Sequence, residues 1–177
     1  MVNRILFAGN SEQNILYAGQ VLIEAAADAG WHAICVDSGC QAGVEHCVIM
    51  LGREPLRRES KELPNVGVLA SLAAADVFER SIRPGGLLVL NAAQIRRPVL
   101  RRDADVFMVP VAITPEDPAL ATMTLLGALI SITGWISVES ALAVVRKSCM
   151  GDRVCAAFRS GAAFVDQMLV GASSKAA

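Results

Sequence analysis

The segment from Pro118 to Val138 carries no charged side chain over 21 residues. A helix of that length can cross a bilayer, so the segment is either a membrane span or a helix buried on every side. It holds Thr122, Thr124, Ser131, Thr133 and Ser137, Gly134 interrupts it, and no cluster of Lys or Arg flanks it. Membrane spans carry such flanking charge. The reading is therefore a helix buried centrally or at a subunit contact, in a chain that does not enter the membrane. Composition points the same way. With 54% hydrophobic and 19% charged residues the chain is not disordered. A net charge of −1 excludes a global attraction to nucleic acid or to an anionic membrane.

Upstream, short apolar runs alternate with glycine turns and helical stretches. Ile5 to Ala8 is a continuous apolar run closed by Gly9, the pattern of a strand buried on both faces. Ile15, Leu16, Leu22, Ile23 and Ala26, with Gly19, follow helical spacing, and Gly30 supplies the stop. Strands are expected at Ala33 to Val36 and Cys47 to Leu51, with a loop from Asp37 to Glu45 between them. Further strands are expected at Val66 to Leu69, Leu87 to Leu90 and Val106 to Val109, with a helix from Ser71 to Ile82 and a turn at Pro84, Gly85 and Gly86. From Leu120 the chain reads as three helices, broken near Gly134 and Gly151-Asp152. The expected fold is α/β: a three-layer α/β/α arrangement with a mostly parallel sheet, Rossmann-like, and a helical C-terminal third. No repeat, linker or composition break divides it, so residues 1–177 form one domain whose tail from Gly171 frays. Met1 to Phe7 reads as a first strand rather than a signal peptide.

The chemistry-bearing residues are scattered. Cys35, Cys40, Cys47, Cys149 and Cys155 contain no C-x-x-C pair and are odd in number, so they give neither a disulfide framework nor a cysteine-only zinc or iron–sulfur site. They read as reduced, mostly buried thiols of a cytoplasmic protein. His46 beside Cys47 is a metal ligand or a packed imidazole, and the second is adopted; His32 stands alone, and no metal site is expected. Asp103 and Asp105 look like edge or turn residues. Arg57, Arg58 and Lys61 alternate with Glu54, Glu59 and Glu62 as a mixed charged surface. No serine stands in a G-x-S-x-G elbow. A dinucleotide fingerprint would need G-x-G-x-x-G after the first strand; Asp37 stands where its acidic partner would, but Gly9 lacks companion glycines. The sequence contains no self-contained catalytic set.

Four stretches in order make the chain resemble a known family. They are Ile5 to Gly30, Val48 to Leu56, Phe78 to Asn91 with Ala92 to Ile95, and Val109 to Val111 followed by Ala121 to Leu129 and Gly134 to Glu139. The chain resembles the gamma subunit of the 2-oxoacid:ferredoxin oxidoreductases, a module also fused into larger pyruvate, 2-oxoglutarate and indolepyruvate oxidoreductases. The resemblance implies a part in oxidative decarboxylation of a 2-oxoacid to acyl-CoA with ferredoxin reduction. Thiamine diphosphate and iron–sulfur clusters would then sit on partner subunits, thiamine-binding alpha and beta and a ferredoxin-like delta. This chain would have a structural role and help form the coenzyme A site, and it would be inactive alone. The alternative is an inactive gamma-like module that binds a small molecule or nucleotide as a homo-oligomer, with a homodimer as the form of the isolated chain.

The resemblance carries candidate cofactor-binding positions onto this chain residue by residue. Relatives look like G-x-G-G-Q-G after the first strand, where this chain has Gly9, Asn10, Ser11, Glu12, Gln13 and Asn14 and has lost three glycines. The family's R-G-G matches Gln41, Ala42 and Gly43, without the Arg, and its Asn-Met pair matches Thr122 and Met123. A glycine turn lets backbone N–H groups approach a phosphate at a helix N-terminus. Here Asn10 is expected to cap the helix with Gln13 closing a capping box, and Glu12 to occupy the first turn and repel an anion. Two readings follow: a phosphate pocket that is weakened or lost, or a plain strand-to-helix turn. Arg96, Arg97, Arg101 and Arg102 around Pro98 either dock an acidic partner or coenzyme A phosphates, or form a solvated loop.

Overall fold

The computed structural model describes residues 2–57, 62–111, 117–147 and 151–174. The expected charged surface at Arg58, Glu59 and Lys61, and Cys149, lie outside them. The elements are β1 (Val2–Gly9), α1 (Ile15–Asp28), β2 (His32–Gln41), β3 (Val44–Gly52), β4 (Val66–Leu69), α2 (Leu72–Phe78), β5 (Leu87–Asn91), β6 (Asp105–Val109), α3 (Ala119–Thr133), α4 (Val138–Lys147) and α5 (Asp152–Ser174). The α/β class and the three C-terminal helices are as expected. Helix α5 reaches Ser174, four residues into the segment expected to fray.

Six strands form one sheet in the order β2-β3-β1-β4-β5-β6. The pairs β1–β4, β4–β5 and β5–β6 are parallel, whereas β2–β3 and β3–β1 are antiparallel. The loop expected over 37–45 does not exist. Strands β2 and β3 form a hairpin closed by Ala42 and Gly43 alone, both with positive φ. The segment from Asp37 to Gln41 is polar because β2 is an edge strand exposed along that half, and the register shifts between Cys35 and Asp37. Exposure to water, not loss of pairing, gave it the composition of a loop.

Alternation along β1 divides the core. Ile5 and Phe7 face one layer with α1, α3, α4 and α5, and Leu6 and Ala8 face the other with α2. Both faces are covered, which is why β1 reads as one continuous apolar run. Helix α3 explains the uncharged segment: from Ala119 to Ile130 every residue is buried. It lies between the sheet, α1 and α5, so no subunit contact is needed to cover it. Two of its hydroxyls are satisfied within the helix: the buried Thr124 Oγ1 donates to Leu120 O at 2.9 Å and the half-buried Thr133 Oγ1 to Leu129 O at 2.8 Å. Gly134, in the left-handed region at φ 60°, ends it. Among the described residues no helix is long and apolar enough to cross a membrane.

Candidate functional site

The four parallel strands β1, β4, β5 and β6 end on the same side of the sheet. After β1 the chain passes to the face covered by α1, and after β4 to the face covered by α2. Neighbouring strands whose connections diverge in this way leave a crevice between their C-terminal ends, where α/β proteins bind ligands. The turn from Gly9 to Asn14 stands at that crevice.

Its geometry refines the expected cap. Asn10 precedes a single 3-10 turn (Ser11–Gln13), not α1 itself. The Asn10 N–H donates to Gln13 Oε1 at 2.8 Å, and the Gln13 N–H to Asn10 O at 2.9 Å. The chain then breaks at Asn14, with φ 49° and ψ 47°, before α1 begins. Glu12 therefore lies in the 3-10 turn, and the first turn of α1 holds no acid. The expectation that Glu12 occupies the first turn of the helix is corrected: the left-handed Asn14 separates the 3-10 turn that holds Glu12 from α1.

Gln13 is the centre of the turn. Its side chain is 2% exposed, and its Nε2 donates to Ala70 O, at the end of β4, at 3.1 Å. Gly9 makes room for it. A Cβ at Gly9 would stand 2.5 Å from Gln13 Oε1 and 2.6 Å from Ile15 Cδ1, so the first glycine serves packing. Thr122 Oγ1 donates to Gln13 O at 2.7 Å, which ties α3 to the turn. Thr122 and Met123 are both buried, and Thr122 supports the turn from beneath through that bond. Asn10, Ser11, Glu12 and Asn14 are exposed.

Strand register brings the second candidate segment to the same end. Gly9 stands opposite Glu45, and Glu45 opposite Cys40, so the exposed hairpin tip with Gln41 and Gly43 projects just beyond the level of Gly9. It lies one to two strands away, about 5–10 Å at the usual strand spacing. Residues 9–14 and 40–45 together carry Glu12 and Glu45 and no Lys or Arg. A phosphate at this rim is thus offered N–H, hydroxyl and carboxamide groups by this chain, and no cation from these two segments.

The arginine patch is largely committed elsewhere. Arg97 Nε donates to Asp76 Oδ1 at 2.9 Å, and its Nη1 lies 2.8 Å from the buried Glu79 carboxylate. Burial alone would lower the pKa of Arg97, but its bonds to Glu79 and Asp76 outweigh that and raise it above the ordinary value. Arg101 pairs with Asp103 through two bonds, at 2.6 and 2.9 Å, and donates to main-chain carbonyls of Glu79 and Ile82. The hydrogen bond with Arg101 holds the Asp103 carboxyl below its usual range. Arg97 and Arg101 thus anchor the connection between β5 and β6, while Arg96 and Arg102 stay exposed.

His46 and Cys47 point to opposite faces of β3, as adjacent strand residues must. His46 packs on Phe78, with ring centroids 5.0 Å apart, and its Nε2 is 3.5 Å from Asp37 Oδ2. Cys47 is buried against α1, and burial pushes its thiol up to about 12. Among the described residues no three His, Cys, Asp or Glu side chains gather as a metal site. A cavity of about 430 Å³ opens at the other end of β1, beside Val2, Arg4, Met50, Leu56 and Arg57, and has no part in the crevice. Reading the sequence for site residues passes over Asn91, which is fully buried and shares the Ala70 carbonyl with Gln13. Its only signal is a carboxamide closing an apolar strand.

The family described as pyruvate ferredoxin/flavodoxin oxidoreductase matches residues 4–164. Among solved structures, the gamma subunit of a keto/oxoacid ferredoxin oxidoreductase from Geobacter sulfurreducens PCA superposes with a TM-score of 0.78 at 18% identity, over 92% of this chain and 98% of that one. A 2-oxoglutarate:ferredoxin oxidoreductase from Magnetococcus marinus, with 2-oxoglutarate, coenzyme A and succinyl-CoA bound, gives 0.78 at 20% identity. That match covers 94% of this chain but only 31% of the longer one. The pyruvate oxidoreductase subunit PORC of Thermotoga maritima gives 0.62 at 21% identity, over 91% and 93% of the two chains. At these identities the likeness is one of fold. No curated protein matches the chain.

Proposed function

Because this chain belongs to the pyruvate ferredoxin/flavodoxin oxidoreductase family, we propose that it is the gamma-type subunit of a 2-oxoacid:ferredoxin oxidoreductase and helps form its coenzyme A site. The whole chain, residues 1–177, acts as one gamma-type domain in the cytoplasm. Thiamine-binding and ferredoxin-like partner subunits carry thiamine diphosphate and the iron–sulfur clusters, which supply decarboxylation and electron transfer. The position of the turn carries the reading: Gly9 to Asn14 occupies the crevice where β1 and β4 send their connections to opposite faces.

The contribution of this chain is binding and orientation. Asn10, Ser11 and Asn14 offer exposed polar side chains at the rim, and the first N–H groups of α1 favour an anion. Glu12 opposes that attraction, and the three glycines replaced by side chains narrow the approach of a phosphate to the backbone. A partner subunit therefore supplies the cations for the coenzyme phosphates. Gln41 and Gly43 border the same rim from the hairpin tip.

The test is a gentle affinity purification from the native cells, followed by assay of the recovered complex. The expected result is co-purification with a thiamine-binding and a cysteine-rich subunit, and coenzyme A-dependent viologen reduction that the isolated chain lacks. An Asn14→Trp variant should assemble normally and raise the KM for coenzyme A. Recovery of the chain alone as a homo-oligomer, or an Asn14→Trp complex with unchanged KM for coenzyme A, would overturn the assignment.

A further inference from the structure

We propose that two buried residues that cannot touch the ligand, Thr122 and Asn91, are positioning residues that set the shape of the turn from Gly9 to Asn14. The proposal rests on the reading that this turn borders coenzyme A.

Gln13 is held from both ends. Its side chain bridges the Asn10 N–H and Ala70 O, and its carbonyl accepts from Thr122 Oγ1. Asn91 Nδ2 donates to the second lone pair of the same Ala70 carbonyl at 2.9 Å, while its Oδ1 accepts from the Ala93 N–H at 3.0 Å. Turning over either carboxamide would break both of its bonds, so the orientation of each is fixed by its neighbours. The result is one connected path from β5 through Ala70 to the turn after β1, and from there to α3. Every side chain on it is buried: Gln13 2%, Thr122 1% and Asn91 0% exposed.

The path matters because the turn stores strain. Asn14 sits in the left-handed region, which asparagine occupies at less cost than other side chains but at more than glycine. The bond from Thr122 fixes the peptide immediately before Asn14, and Asn91 orients the carbonyl that anchors the Gln13 side chain. Without these bonds Asn14 can relax, and the exposed groups of Asn10, Ser11 and Asn14 lose their common orientation. In a turn that has lost three glycines, buried hydrogen bonds take over part of the shaping that backbone freedom supplied.

The decisive variants are Thr122→Val, which keeps the shape and loses the hydroxyl, and Thr122→Ser, which restores it. They are assayed in the assembled oxidoreductase. The expected result for Thr122→Val is a KM for coenzyme A raised roughly five- to tenfold. The kcat and the KM for the 2-oxoacid should stay within twofold, and Thr122→Ser should return close to wild type. Asn91→Ala should move the same constant in the same direction, and it decides the matter if Thr122→Val does not assemble. Suppose Thr122→Val assembles with a wild-type KM for coenzyme A while Asn14→Trp raises it. The turn then borders the coenzyme without depending on these pins, and the proposal is overturned but the site stands. If Asn14→Trp is also without effect, the site assignment falls and the proposal with it. Failure of both Thr122→Val and Asn91→Ala to assemble would make the pins part of the fold alone, and would likewise overturn it.

Discussion

Gly127 of α3 and Gly161 of α5 meet where the two helices cross, backbone against backbone. A Cβ on Gly127 would overlap the carbonyl oxygen of Phe158, and one on Gly161 would overlap that of Thr124. The contact lets α5 lie close enough to seal the uncharged helix, and backbone atoms on both sides leave nothing that can swing away.

Gly161→Ala should therefore destabilise the protein although alanine is the better helix former. The propensity gain is about 1 kcal/mol. Overpacking against a fixed backbone costs about 1–3 kcal/mol or more. Urea unfolding of the full chain should show a lower midpoint, and an unchanged or higher midpoint would contradict the close crossing.

Glu79 and Asp76 both reach Arg97 but should differ sharply in effect. Glu79 is 1% exposed and also accepts from the Leu100 and Arg101 N–H groups, whereas the Asp76 side chain is 57% exposed. Glu79→Gln should cost about 3 kcal/mol, the scale for breaking a buried pair. Asp76→Asn should cost less than about 1 kcal/mol. Denaturant titration of the two variants side by side checks the contrast.

Ala42 and Gly43 both have positive φ in a two-residue hairpin loop, the requirement of a type I′ turn. Asparagine tolerates that conformation far better than alanine. Ala42→Asn should stabilise the protein by about 0.5–1 kcal/mol, and Ala42→Val should destabilise it. Thermal unfolding of both variants reads the sign.

Cys47 should make stability fall on the alkaline side. Burial, with a smaller contribution from Cys35, raises its thiol from 9.0 to about 12. Below pH 9 the thiol is protonated in both the folded and unfolded chains, and the stabilisation is fully present. As pH rises from 9 towards 12 only the unfolded thiol ionises, so that stabilisation is progressively lost. Unfolding midpoints across this window should fall less steeply in Cys47→Ala than in wild type. In the native protein a thiol reagent should label the exposed Cys40 well before Cys47.

The sequence was most legible where burial is complete. The apolar run at β1, the helical stripe of α1 and the uncharged α3 each announce a covered element, because covered faces admit few polar residues. It was least legible at β2, where an exposed edge strand has the composition of a loop. At the turn after β1, residue types indicated a cap. The register of that cap, on a 3-10 turn before a left-handed Asn14, depends on the bonds from Gln13 to Ala70 and from Thr122 to Gln13, which join residues 57 and 109 positions apart.

By itself the amino-acid sequence determined the class of fold, the family and the order of elements, since these follow from local periodicity and from motifs read in line. The tertiary structure alone decided three other things. It set the antiparallel half of the sheet, the coverage of α3 by its own chain, and the committed state of Arg97 and Arg101. Each depends on which distant segment supplies the partner. Hydrogen bonds and ion pairs form between groups brought together only by the completed packing, so a residue's type states what it can bond to, and the fold chooses what it does bond to.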